Sequence, residues 1–430
     1  MRPSQKSQRL YTPGKEISHQ QIRPVRPVIR AGISNVFSTL RLMKHFSHLN
    51  SAVSIIESYK GGQPFHSFIK QHFSLHKKYG SKDRKQIAHL CYCYFRLGAF
   101  AKQLPVQEAV TAALFLCCHQ PNELLHALQP AWNGQAAASL PEKLAVLNMP
   151  LTAAGIFAFT DQLSEGVDAG AFAFSHLQQP DVFIRVRPGC LPAVTKKLQE
   201  AGIAFTVLGE HCISLPPATK IDALLQLDKE AVVQDYSSQR TGAFMQLAAT
   251  EKKPVKTWDC CAASGGKSIL ATDILGHMDL TVTDIRPAML ANLAKRFRAA
   301  GISRYQSLQA DLSKSGTAVT GEQFRFIIAD APCSGSGTWG RTPEQLSFFN
   351  KEEIDTYSQL QKKIVSTALK SLQPGGYFLY ITCSVFKKEN EDIAAFIEQL
   401  LDAPPLKMEL LQGYQHNADT MFAAMFRKRI

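Results

Sequence analysis

The chain is predicted to be an α/β protein, with a doubly wound, mostly parallel sheet in its C-terminal part, preceded by a helical domain and a small α/β module. Three observations predict this. From about Val233 to the end, short apolar runs alternate with helical stretches, the pattern of successive βαβ units. Between residues 43 and 165 apolar side chains recur at helical spacing. Between residues 175 and 240 strand-like and helix-like periods follow one another within sixty residues or so. The expected divisions are therefore 1–42, 43–165, 175–240 and 241–430.

The 430 residues, 45% apolar and 19% charged, exclude a disordered or collagen-like chain and are ample for a buried core. No stretch approaches the run of about 18 to 20 apolar residues that a membrane span needs. Ten cysteines are scattered along the chain without a CxxC pair, so a zinc ribbon or thioredoxin-like site is not expected. Without a secretory apolar region, such thiols point to a reducing compartment, and the cytoplasm is the expected location.

The formal charge is +13, from 48 Lys and Arg against 35 Asp and Glu. Residues 1–42 hold eight basic side chains against Glu16 alone. Their repeated prolines and missing helical period predict a disordered basic tail. It reads as a nucleic-acid arm, an Arg-rich transit peptide, or an over-extended reading frame whose true start is Met43. The last is favoured, because order is expected immediately after Met43.

In the helical domain Ala52, Val53, Ile55, Ile56 and Tyr59 form one stripe, and Phe65, Phe68, Ile69 and Phe73 another. Asp83 precedes a third stripe of Ile87, Leu90, Cys91, Tyr94 and Leu97. Cys91 and Cys93 read as small core hydrophobes. His72, His76, Lys77, Lys78, Lys82, Arg84 and Lys85 crowd one stretch, either a solvated helix face or a surface for phosphates. In the module, Val182 to Arg187 reads as a strand whose Arg185 and Arg187 share the polar face. A helix from Leu191 to Ala201 and short strands near Phe205–Val207 and Cys212–Leu215 follow.

In the C-terminal domain strands are expected at Val255–Asp259, Leu280–Asp284, Ser307–Asp311, Phe324–Asp330 and Gly376–Thr382. Helices are expected at Lys267–Leu275, Ala288–Ala300, Lys351–Leu372 and Glu389–Leu401. Ligands of such sheets bind at the C-terminal strand ends. Asp259, Asp284, Asp311 and Asp330 sit at or beside four successive ends. Acidic helix caps would explain any one of these, but four in order poorly. A glycine turn lets backbone approach a ligand, and Asp284, 18 residues past Gly266, is placed to accept from a ribose diol. This serves nicotinamide and adenosyl-methionine cofactors alike. The turn lacks G-x-G-x-x-G, and Cys261 stands where a phosphate-binding P-loop needs Gly. Asp311 suits the amino group of an adenine on a ligand without phosphates.

Several segments carry a specific resemblance. Asp330-Ala-Pro-Cys333-Ser-Gly and Thr382-Cys383-Ser384 resemble the paired cysteine motifs of the RNA cytosine-C5 methyltransferases. Cys261, Ala262, Ala263, Ser264, Gly265, Gly266 and Lys267 are similar to that family's cofactor loop, with Ser264 where Pro is usual and Ser268 where Thr is common. Val233-Gln234-Asp235 with Ser238 and Gln239 resembles the segment ahead of the catalytic domain, and Arg341-Thr-Pro-Glu its substrate loop. The resemblance covers residues 180–430 and implies a Rossmann-like class I methyltransferase domain using S-adenosyl-methionine. By it, Cys383 is the nucleophile on cytosine C6, Cys333 assists release, and Asp330 bonds the base near N3. Cofactor contacts are implied for the loop just named and for Asp284, Asp311 and Asp330.

Two thiols make chemical sense. Cytosine C5 is a poor nucleophile until a thiolate adds at C6, and the C5 proton must later be removed. Such a base must be single-stranded or flipped. The helical domain resembles the antitermination-factor-like RNA-binding domain found on bacterial enzymes of this family that act on 16S rRNA. RNA is therefore the expected partner, rRNA ahead of tRNA, with no membrane, no metal and no inferable protein partner. The alternatives are a tRNA cytosine-C5 methyltransferase and a non-catalytic RNA-binding ribosome assembly factor.

Overall fold

A computed structural model describes residues 28–249, 254–314 and 321–430, with side chains from Met43 onward. The first helix runs Val28–Ser58, so helical backbone begins ahead of Met43. Most of the expected tail, residues 1–27, lies outside the described residues.

The helical domain is built on Val28–Ser58, Phe65–Leu75, Ser81–Arg96 and Val106–Cys117. Their predicted stripes face inward: Ala52, Ile55, Phe65, Ile87, Leu90 and Cys91 are fully buried. This core does not close on itself. It continues into Trp339, Leu346, Val385 and Phe386 of the C-terminal domain, and the Phe348 ring packs 5.1 Å from Tyr59. Burying those large rings together is worth several kcal/mol, so the helical domain is seated firmly against the loop after Asp330.

The module is an antiparallel sheet of four strands: β1 (Val182–Val186), β2 (Thr206–Leu208), β3 (Cys212–Leu215) and β4 (Ala231–Val233), in the order β2-β3-β1-β4. The helix Leu191–Glu200 covers its apolar face through Val194 and Leu198. The other face is not solvated. Arg185 and Arg187 both reach Asp273 on the helix Gly266–Leu275, and Arg185 Nε also donates to Gln234 Oε1 at 2.7 Å. The alternation places these arginines on the polar face, and that face docks on the next domain.

That domain holds a sheet of seven strands: β5 (Val255–Asp259), β6 (Met278–Asp284), β7 (Gln306–Gln309), β8 (Phe324–Asp330), β9 (Leu372–Thr382), β10 (Lys407–Leu411) and β11 (Met421–Arg427). Their order is β10-β11-β9-β8-β5-β6-β7. The run β9-β8-β5-β6-β7 is parallel, and β11 is antiparallel to both its neighbours. Five of these strands follow the sequence expectation, within a few residues. The last two extend the sheet beyond β9, and β7 ends before Asp311 rather than at it. Helices Gly266–Leu275 and Pro287–Ala300 cover one face, and Glu352–Lys370 and Glu391–Leu401 the other. The strands β5, β6, β8, β9 and β11 are thus buried on both faces, as their apolar runs require, while the edge strand β7 is exposed.

Candidate active site

The register of the parallel strands brings their C-terminal ends level. Asp259 pairs in register with Val282 and Ile328, Asp284 with Gln309, and Asp330 with Ile381. The loops after β5, β6, β8 and β9 therefore open on one edge.

After β5 the chain turns sharply through Cys260–Gly265 into the helix Gly266–Leu275. Ala263 takes a positive φ of 45° and Gly265 one of 84°. A Cβ at Gly265 would lie 2.6 Å from Cε1 of Phe297, so only glycine lets the turn lie flat against the helix Pro287–Ala300. Three groups hold the turn. Ala262 N donates to Thr283 O at 2.9 Å, Ala263 N to Asp284 Oδ2 at 2.9 Å, and Arg296 Nη1 to both oxygens of Ser264. Arg296 also pairs with Asp228 of the module. Ser264, standing where proline is usual in the resembling family, thus gains a hydrogen bond that a proline would not offer. Asp259 is fully buried beneath the turn and accepts from Ser268 Oγ at 2.6 Å. Burial pushes its carboxyl up to about 7, against the pull of the Ser268 bond.

Asp284, at the end of β6, accepts from Ala263 N, from Arg286 N at 2.9 Å and from the Arg286 guanidinium at 3.0 Å. Burial would raise its carboxyl, but the Arg286 bonds outweigh it and hold it below the usual range. Asp311 follows β7 and accepts from Ser313 N and Oγ, bonds that lower its carboxyl.

Across the edge, Cys333 follows β8 and Cys383 follows β9. Their sulfurs lie 3.3 Å apart, both half-buried. The Cys333 thiol is pushed well up, first by its hydrogen bond to Cys383 and then by burial. Asp330, at the end of β8, accepts from Lys267 Nζ at 2.9 Å, and the same ammonium donates to Ser238 Oγ at 2.9 Å. Lys267 therefore ties the turn after β5 to the cysteine side of the edge. Gly337 N donates to Cys383 O at 2.9 Å, and a Cβ on Gly337 would meet Thr420 O at 2.0 Å. The loop after Cys333 can pass this closely only with glycine there.

The predicted residues thus fall on one edge in two groups. Cys261 to Lys267, Asp284 and Asp311 surround the turn side, and Cys333, Cys383 and Asp330 the other, with Lys267 joining them. Residues 244–427 match the family of 16S rRNA methyltransferases RsmB/F. That segment belongs to this family. The Ribosomal RNA small subunit methyltransferase B of Xanthomonas campestris pv. campestris is 30% identical over 189 residues, covering 44% of this chain and 42% of the relative. The enzyme of the same name from Shewanella oneidensis is 31% identical over 216 residues, 47% and 49% of the two chains. The chain spans about half the length of these relatives. Among solved structures, PH0851 superposes with a TM-score of 0.65 at 19% identity, covering 90% of this chain and 98% of that one. NSun6 from Pyrococcus horikoshii with SFG gives 0.53 at 14% identity, over 64% and 97%. These likenesses show the fold.

The methyl donor of an RsmB/F-type methyltransferase is S-adenosyl-methionine, and the residues on the edge fit it. Asp284, Asp311 and Asp330 offer carboxylate acceptors for hydroxyl and amino groups, and would repel the phosphates of a nucleotide.

Arg286, which pairs with Asp284, carries no local signal in the sequence. Ser238 and Arg341 lie in segments that resemble the family's, but nothing local announces their partners: Lys267 for Ser238, and Asp235 and Asp419 for Arg341. Glu344, in the loop resembling the family's substrate loop, accepts from Phe65 N at 3.0 Å and so fixes that loop to the helical domain. Among the described residues no group of three or more His, Cys, Asp or Glu is placed to hold a metal, and no helix is long and apolar enough to cross a membrane.

Proposed function

We propose that the protein is an S-adenosyl-methionine-dependent RNA cytosine-C5 methyltransferase acting on 16S rRNA in the cytoplasm. The observation that carries this reading is the pair of sulfurs, Cys333 and Cys383, held 3.3 Å apart beside Asp330 at two adjacent strand ends. A single nucleophile would need one thiol. Two in contact suit a reaction in which one adds to the base and the other manages its release.

When bound, S-adenosyl-methionine supplies an electrophilic methyl group. The chain's own residues do the rest. Cys383 adds as thiolate to C6, which makes C5 nucleophilic. Asp330, steadied by Lys267, holds the cytosine edge. Once C5 carries the methyl group, Cys333 as thiolate removes the C5 proton, the C6–S bond breaks, and Cys383 leaves as thiolate. The first cause holding the Cys333 proton is its bond to Cys383. Capture of Cys383 by the base removes that cause, so Cys333 becomes easier to ionise when its proton-accepting role begins. Asp284 and Asp311 would hold the adenosine, with the Cys261 to Lys267 turn beside it.

The helical domain and the module are read as RNA-contacting parts, since a flipped base needs its flanking strand held. Bisulfite sequencing of rRNA and tRNA from a deletion strain tests the proposal. Loss of a 5-methylcytosine from 16S rRNA is expected. Loss from tRNA alone would move the substrate to tRNA, and no loss would contradict the activity.

A further inference from the structure

Behind the cysteines lie two consecutive buried polar residues, Glu389 and Asn390, both fully inaccessible. Glu389 is bonded mainly around Cys333 and Asn390 around Cys383, although Glu389 also meets Ser384 and Asn390 Nδ2 also donates to Ser164 Oγ at 2.8 Å. Glu389 Oε2 accepts from Ser334 N at 2.9 Å and from Gln361 Nε2 at 3.3 Å, while Gln361 Nε2 also donates to Pro332 O at 3.0 Å. Those are the residues on either side of Cys333. Asn390 Oδ1 accepts from Thr382 Oγ1 at 2.5 Å, and its Nδ2 donates to Ser384 O at 2.9 Å. Those are the residues on either side of Cys383.

Asn390 stands at the N-cap of the helix Glu391–Leu401, where asparagine ordinarily accepts from that helix's own backbone. Here its side chain makes no such bond. A buried carboxyl whose second oxygen, Oε1, has no hydrogen-bond partner in the structure is likewise costly, and the backbone carbonyl of Glu389 is fixed by Tyr380 Oη at 2.7 Å. Neither side chain is arranged for the best local stability. Both are arranged around the cysteine loops.

We propose that Glu389 and Asn390 form a two-residue clamp of positioning residues, Asn390 setting Cys383 for addition and Glu389 setting Cys333 for release. This rests on the thiolate reading above. Glu389 also acts through its charge. The titratable groups facing Cys333 are Cys383, Glu389, Tyr357 of the helix Glu352–Lys370 and Tyr380 of β9. Burial pushes both phenols up and keeps them neutral; it raises the Glu389 carboxyl too, against the bonds from Ser334, Gln361 and Ser384, and in its ionised form Glu389 adds its field to the hold on the Cys333 proton.

The test follows the RNA–protein adduct over time on denaturing gels, with the full chain, S-adenosyl-methionine and an unmodified small-subunit rRNA transcript. Asn390→Ala should slow adduct formation by about tenfold or more, the scale of a misplaced reacting group, with release unchanged. Glu389→Ala should leave formation unchanged and prolong the adduct by a similar factor. Glu389→Gln keeps an acceptor for Ser334 N, so it should restore release while moving the rising pH limb of release to lower pH, because Cys333 then ionises more readily. A purely structural role predicts that Gln leaves the pH profile in place. That result, or equal effects of both alanine variants on both steps, would overturn the clamp. If an alanine variant loses its circular dichroism, the Gln pH profile alone decides. Cys333→Ala serves as the control: absence of any adduct there would count against the thiolate reading itself rather than the clamp.

Discussion

Cys333 and Cys383 touch through their sulfurs at 3.3 Å although 50 residues separate them in the chain. Parallel pairing of β8 with β9 makes that contact, because Asp330 is in register with Ile381 and each strand runs directly into its cysteine loop. Adjacent parallel strands lie about 4.8 Å apart, so two loops leaving neighbouring ends bring side chains together without strain.

We propose Asp284, at the end of β6 beside the glycine turn, as the carboxylate that receives the ribose. Asp284→Ala is expected to weaken S-adenosyl-methionine binding by about 1.5 to 3 kcal/mol, the scale of lost charge-assisted hydrogen bonds. Isothermal calorimetry with the purified variant checks this. Unchanged affinity would remove Asp284 from the cofactor site.

Asp259 makes stability depend on pH. Its carboxyl rises from 3.8 in the open chain to about 7 when folded, chiefly through burial. The folded state therefore binds a proton that the unfolded state has released, so stability is fully present below about pH 4 and is lost as pH rises towards about 7, by roughly 1.4 kcal/mol per unit. Asp259→Asn keeps an acceptor for Ser268 and should flatten that slope. Urea unfolding of both proteins across this window measures it, and parallel slopes would refute it.

Asp273 joins the module to the C-terminal domain by receiving both Arg185 and Arg187, with the Arg185 side chain only 5% exposed. Asp273→Ala leaves a buried guanidinium uncompensated, which costs about 3 to 5 kcal/mol. A thermal unfolding transition lowered by several degrees is expected, and an unchanged one would show that the ion pair is idle.

The sequence made legible what local patterns encode. The strands from β5 to β9 came from apolar runs bounded by turns, and the cysteine pair from two short motifs. The hairpin of β10 and β11 is not legible, because Met421–Arg427 is a single apolar run preceded only by the four-residue 3-10 turn Gly413–His416, with no α-helix to announce a βαβ unit. Alternation places Arg185 and Arg187 on the polar face of β1, but it does not say whether a polar face meets water or another domain. The roles of Glu389 and Asn390 were hidden for a related reason. Their partners, Pro332, Ser334, Thr382 and Ser384, come together only when β8 and β9 pair.

The most direct test of the thiol roles is one denaturing gel of labelled RNA with the wild type, Cys333→Ala, Cys383→Ala and the double variant. Cys333→Ala should leave a slow RNA–protein band, since addition by Cys383 proceeds while proton removal from C5 is lost. Cys383→Ala and the double variant should leave none. A band seen only with Cys383→Ala would reverse the two cysteines and contradict the account.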